Sequence, residues 1–218
     1  MEQEEELCDE VETVKSFCYL GDRVDANGGC EAAVTARARL GWMKFRDCGE
    51  LLNSRRFPLK VKGMVYRSCV RSVILYGSET WCLGENEIAL LRRTERAMVR
   101  AMCGVKLMDK NRTEVLMEML GLEESVVQMA KANAVRWYGH VLRSEDGHVL
   151  RRALDFEVKG RRKRGRPKKT WKKQVEEECR RVGLRVDDAL NRARWREGVR
   201  DVATEVNPAT SIMGINPD

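Results

Sequence analysis

The sequence predicts a mainly α-helical protein with one short β element at its N-terminus, and three features carry that expectation. Apolar residues recur every three or four positions through several long segments, which places them on one face of a helix. Glycines stand where those segments stop. One run near the front, Phe17-Cys18-Tyr19-Leu20-Gly21, is instead β-prone, and Asp25-Ala26-Asn27-Gly28-Gly29 behind it is a strong turn signal.

Residues 13–24 therefore read as an extended stretch entering a tight turn. From Glu31 a first helix carries Val34, Ala38, Trp42 and Phe45 on one face. Pro58 breaks the pattern, and a second helix restarts with Val61, Val65, Cys69, Val73 and Tyr76 as its stripe until Gly77 to Trp81 interrupts it. A third helix, Glu85 to Cys103, has Ile88, Leu91, Met98 and Met102 in register and Gly104 as its stop. Thr113 opens a short fourth helix with Val115, Leu116, Met119 and Leu120, closed by Gly121. Residues 123–143 form a fifth, with Val126, Val127, Ala130, Ala134, Trp137 and Val141 inward. After a linker by composition, Gly160 to Pro167, the stripe Trp171, Val175, Cys179 and Val182 runs to Gly183. Asp187 is then the expected N-cap of a last helix carrying Leu190 and Trp195. The tail from Asn207 has no pattern and is expected to be disordered.

The chain has 218 residues, 43% of them hydrophobic and 34% charged, enough apolar material for a real core. Its net charge of +7 is unevenly placed. The first dozen residues hold seven acids and no base, whereas Lys159 to Lys173 holds ten Lys or Arg and no acid. A polyanionic partner is expected, nucleic acid before an anionic membrane surface. No apolar run approaches the ~20 residues that span a bilayer, so no membrane partner is expected. The cysteines at 8, 18, 30, 48, 69, 82, 103 and 179 are scattered singly, and His140 and His148 lie far from most of them. A zinc site needs clustered ligands, so neither a metal nor any other cofactor is expected. Reduced, mostly buried thiols and the lack of a signal peptide point to an intracellular protein.

Four runs together resemble one family. Phe17-Cys18-Tyr19-Leu20-Gly21, Leu75-Tyr76-Gly77-Ser78-Glu79-Thr80-Trp81, Arg136-Trp137-Tyr138-Gly139-His140-Val141-Leu142-Arg143 and Gly165-Arg166-Pro167-Lys168-Lys169-Thr170-Trp171 occur in that order. They resemble the F-x-Y-L-G, L-Y-G-S-E-T-W, R-W-x-G-H-V-x-R and G-R-P-x-x-x-W runs of the C-terminal part of non-LTR (LINE-type) retrotransposon reverse transcriptases. The resemblance covers roughly residues 13–200.

It implies an acidic leader and primer-grip-like element over 1–30, with Tyr19, Leu20 and Gly21 at the grip. It further implies a thumb-like helical bundle over 31–110 and a helical post-thumb region over 111–158. A basic linker with C-terminal helices would fill 159–206, leaving the tail 207–218. The family's polymerase centre needs palm aspartates whose two metal ions sit about 4 Å apart. Here the one adjacent pair, Asp187-Asp188, follows the basic run and has no strand pattern or aromatic before it. Only an acidic leader precedes Tyr19, and no endonuclease ligand cluster is evident. The expectation is a non-catalytic nucleic-acid-binding fragment, clamping RNA, DNA or hybrid duplex. The alternatives are a subunit active only beside a palm-containing reverse transcriptase chain, and a decayed reading frame.

The candidate binding residues begin with Lys159, Arg161, Arg162, Lys163, Arg164, Arg166, Lys168, Lys169, Lys172 and Lys173, whose mutual repulsion an anion would relieve. The same run could serve as a solvated linker or a nuclear-import signal, and an import signal would make the location nuclear. Arg164-Gly165-Arg166-Pro167 also resembles an AT-hook core, which lies in the minor groove of A·T-rich DNA. Arg136, Tyr138 and Arg143 form a second candidate group, an aromatic–basic surface for bases and phosphates. Trp137 is expected on the apolar stripe, and His140 as a structural or surface histidine. If the basic run is only a linker, binding falls to the thumb-like helices, beginning with Arg67, Arg71, Arg92, Arg93 and Arg96.

Overall fold

The computed structural model describes residues 14–26, 28–145, 147–156 and 169–204. The acidic leader, the basic run from Lys159 to Lys168 and the tail from Asn207 lie outside the described residues. The fold is mainly α, with a two-stranded antiparallel sheet in front of the helices.

The sheet pairs β1 (Ser16–Tyr19) with β2 (Asp22–Asp25), Tyr19 facing Asp22 and Ser16 facing Asp25. The expected extended stretch is thus a hairpin with a tight turn of its own at Leu20-Gly21, and the turn expected behind it is present as well, Gly28 N donating to the Asp25 carbonyl at 3.0 Å. Leu20 and Gly21 both have positive φ, 49° and 80°, the geometry that matches the twist of two paired strands. A leucine there is uncommon, which is why the sequence did not announce it. The turn is held from outside: Tyr76 Oη donates to the Leu20 carbonyl at 2.9 Å, and Arg37 donates to that of Gly21. The Arg37 guanidinium in turn lies 4.1 Å from the Tyr76 ring centroid.

Behind the hairpin, α1 (Glu31–Asp47) buries Val34, Ala38 and Phe45, with Trp42 half-buried beside them. A short α2 (Gly49–Leu52) leads to α3 (Leu59–Val65), a π-helical stretch Tyr66–Arg71 and α4 (Ser72–Ile74). The expected stripe of this second helix is displaced by one residue. The buried positions are Lys62, Tyr66, Val70, Arg71, Ile74 and Leu75, while Tyr76 is exposed. Two cations on the inner face disguise it, and each is paired. Lys62 Nζ donates to the Met102 carbonyl at 2.7 Å; Arg71 donates to Glu95 Oε1 at 2.8 Å and to the Glu124 carbonyl at 2.6 Å. Four-residue steps from Tyr66 to Ile74 suit the wider turn of a π-helix.

The 3-10 turn Ser78–Thr80 follows Gly77, and Trp81 is buried. Next come α5 (Glu85–Cys103) and α6 (Thr113–Leu120). Both end as predicted. At Gly104 and Gly121 the backbone turns left-handed, and paired bonds such as Val105 N to the Arg100 carbonyl and Leu122 N to the Met117 carbonyl close each helix. In α6 only Leu116 and Leu120 of the expected stripe are buried; Val115 and Met119 face solvent.

The next helix, α7 (Val126–Leu142), starts at a Ser125/Gln128 capping box and threads two cores. Its N-terminal half, through Val126, Val127 and Ala130, completes the core built on Tyr66, Val70, Leu91 and Met98. Its C-terminal half, through Val135 and Tyr138, belongs to a second core with Val175, Cys179, Trp195, Val199 and Val202. That core is supplied by α9 (Trp171–Arg181) and α10 (Arg192–Thr204), with α8 (Val149–Leu154) alongside. Asp187 is not the N-cap of the last helix. Residues Val186–Leu190 form a separate 3-10 turn, Leu190 is 78% exposed, and Asn191 Oδ1 accepts from the backbone of Ala193 and Arg194 to start α10.

Seven cysteines are free thiols: Cys18 is exposed, Cys179 buried, and Cys30, Cys48, Cys69, Cys82 and Cys103 half-buried, so full burial holds only for Cys179. Among the described residues no group of His, Cys, Asp and Glu could hold a metal ion, and no helix is long and apolar enough to cross a membrane.

Candidate nucleic-acid interface

The C-terminal half of α7 presents Arg136, His140 and Arg143 at spacings of four and three, hence on one face. On α10, Arg192, Arg196 and Arg200 repeat at intervals of four and are exposed, while Trp195, Val199 and Val202 point into the second core. The helices pack directly: Trp195 Nε1 donates to the Val135 carbonyl at 3.1 Å, and the ring lies over Gly139. A Cβ at Gly139 would stand 2.1 Å from Trp195 Nε1, so only glycine permits this approach.

The two basic rows face each other across a cleft of 490 Å³, lined by those five arginines with His140 and Ser144 and including Trp195 and Val199. No Asp or Glu among the described residues lines it. Arg143 is the most constrained member. It donates to the Ala189 carbonyl at 3.0 Å, and burial, then the nearby Arg192 charge, pushes its guanidinium below the usual range. Five like charges with no carboxylate among them repel one another, and a polyanion would relieve the repulsion.

The other expected site residues fall into distinct environments. Tyr138 is 2% exposed, edge-on to Trp171 at 6.0 Å, with its hydroxyl donating to Glu176 at 3.2 Å. It has no face left for a base, which corrects its expected role. Trp137 is the half-exposed one, stacked on exposed His140 at 5.1 Å. Lys169 pairs with Glu177 and Lys172 with Asp155, the latter at 2.8 Å. Each lysine, by hydrogen bonding, holds its carboxylate partner below the usual pKa range. Lys173 is exposed; Lys159, Arg161, Arg162, Lys163, Arg164, Arg166 and Lys168 lie outside the described residues. Tyr19, Leu20 and Gly21 form the exposed end of the hairpin. On the front helices Arg67, Arg92, Arg93 and Arg96 are exposed, but Arg71 is wholly buried against Glu95 and cannot meet a ligand.

Among curated proteins, an uncharacterized transposon-derived protein of Caenorhabditis elegans is 23% identical over 141 residues, covering 63% of this chain and 50% of that protein. The chain is similar to a transposon-derived protein. That likeness supports a transposon origin, and the chain spans about half the length of this relative. No protein-family profile and no solved structure matches it.

The four family-like runs meet in space. Tyr76 of the second holds the turn of the first, and the Glu79 carbonyl accepts from Trp171 Nε1 of the fourth at 2.9 Å. Trp171 then packs against Tyr138 of the third. Arg192, Arg196 and Arg200 were not singled out from sequence. Their four-residue repeat was legible there, but not the helix they would face.

Proposed function

We propose that this chain is a nucleic-acid-binding portion of a non-LTR-type retrotransposon reverse transcriptase that holds phosphate backbone in the α7–α10 cleft. The observation that carries it is the cleft itself: five arginines converging with no carboxylate among them. The basic run Lys159 to Lys173 adds a second set of cations for the same polyanion. The family-like runs support the retrotransposon assignment, and the transposon-derived relative supports the wider origin. On this reading the chain contributes binding and no catalysis. RNA, DNA or hybrid duplex would be its ligand, a palm-containing reverse transcriptase chain a further partner, and the nucleus its place of action.

Fluorescence anisotropy at several salt concentrations tests the cleft. Replacing Arg192, Arg196 and Arg200 together by alanine removes three phosphate ligands from exposed positions. The slope of log K against log salt should then flatten by roughly 0.9 per lost contact on duplex DNA and roughly 0.7 on single strands. Parent-like affinity and slope would show that the cleft is not the phosphate site.

A further inference from the structure

We infer that the cleft selects single-stranded nucleic acid, because the Trp137–His140 pair at its edge offers an aromatic face to an unpaired base. This rests on the cleft as the phosphate site. His140 is both a lining residue of the cleft and an exposed residue, and one face of its ring is already stacked on Trp137 at 5.1 Å and 28°. A base placed over His140 would extend an existing two-ring stack while its phosphates stay among Arg136, Arg143 and the α10 arginines. Arginines four residues apart on a helix are separated by about 6 Å along the axis, a step that one extended strand can follow from phosphate to phosphate.

Size argues the same way. At 490 Å³ the cleft matches a small-molecule pocket and admits part of one strand. A duplex could lay only a phosphate ridge on its rim, with its bases paired and stacked away from His140. Arginine contacts therefore serve both ligands, and the aromatic pair serves only the single strand.

The test is anisotropy on the full chain with fluorescein-labelled oligo(dT), oligo(U) and a mixed-sequence duplex of equal length. Base stacking on an aromatic side chain accounts for roughly fivefold or more in affinity, without base preference. His140→Ala and Trp137→Ala should each weaken both single strands by that factor and the duplex by less than about twofold. Trp137→Phe keeps a stacking ring, so it should keep the parent's affinity for oligo(dT) where Trp137→Ala loses it. Equal losses on single strands and duplex, or a Trp137→Phe variant as weak on oligo(dT) as Trp137→Ala, overturn the inference. If the triple arginine variant loses affinity while both alanine variants bind single strands like the parent, only the stacking fails. If the triple variant itself binds like the parent, the phosphate site fails as well.

Discussion

Gly139 sets how closely α10 lies on α7. Gly139→Ala would push a methyl group to within 2.1 Å of Trp195 Nε1 and disturb that nitrogen's bond to the Val135 carbonyl. Overpacking of this kind costs about 1–3 kcal/mol, so the urea midpoint should fall accordingly and binding should weaken with it. Arg71 is a second single point of failure. Glu95 accepts from it, from Tyr66 Oη at 3.5 Å and from Val126 N at 2.9 Å, so one buried carboxylate ties the π-helical stretch, α5 and the start of α7. Arg71→Met leaves that carboxylate uncompensated, and denaturant unfolding should record a loss of about 3–5 kcal/mol. Cys179 sets an alkaline limit. Burial, with Glu176 and Glu178 beside it, raises its thiol from 9.0 to about 12. A raised folded pKa means its share of stability is complete below pH 9 and is lost as pH climbs through 12. Burial also raises Tyr66 and Tyr138, which act in the same direction. Burial raises the Cys30, Cys82 and Cys103 thiols as well, so stability measured by urea should hold below pH 9 and decline above it, and Cys179→Ala should make that decline shallower without moving its onset.

Among the elements, the basic run and the α10 row make separable contributions. If about five phosphates are neutralised, log K should fall with log salt at a slope on the order of −4 to −5 on duplex DNA. Changing Arg161, Arg162, Lys163 and Arg164 to alanine should flatten that slope and leave the circular dichroism spectrum unchanged, because the stretch carries no apolar stripe. Arg166→Ala distinguishes phosphate contact from an AT-hook: the first weakens all duplexes alike, the second removes only a preference for A·T-rich ones. A quadruple variant with the parent's slope would leave the run as a linker or import signal. The same comparison shows where element-level reading failed. The 59–75 helix was read one residue out of register because Lys62 and Arg71 are buried with dedicated partners, and apolar periodicity cannot recognise a satisfied charge. In α7, Trp137 and Tyr138 exchanged roles, because a tyrosine hydroxyl can be buried once Glu176 accepts its hydrogen bond.

At the scale of the molecule, α7 is shared between two hydrophobic cores, so the cleft is fixed relative to the hairpin end of the protein. The chain should therefore bind as one unit, and the proposed binding-only role is tested by assaying for polymerisation. Primer extension with Mg²⁺ or Mn²⁺ should be undetectable, and extension by material free of other polymerases would sink the binding-only assignment. EDTA should leave the helical spectrum intact; a loss of ellipticity would reveal a metal-dependent fold.

What the sequence determined by itself was local. Helical periods, glycine stops at Gly104 and Gly121, the break at Pro58 and the concentration of charge are each carried by residues close together in the chain, so they survive without knowledge of the partner. The four family-like runs were legible in the same way. Only the tertiary structure decided what those residues meet: that Tyr76 holds the hairpin turn, that Trp171 reaches back to Glu79, and that two arginine rows from α7 and α10 line one cleft. The physical reason is that a helix period says which residues share a face but not which face lies opposite. Here that choice was made by Trp195 settling over Gly139, a contact between residues more than fifty positions apart.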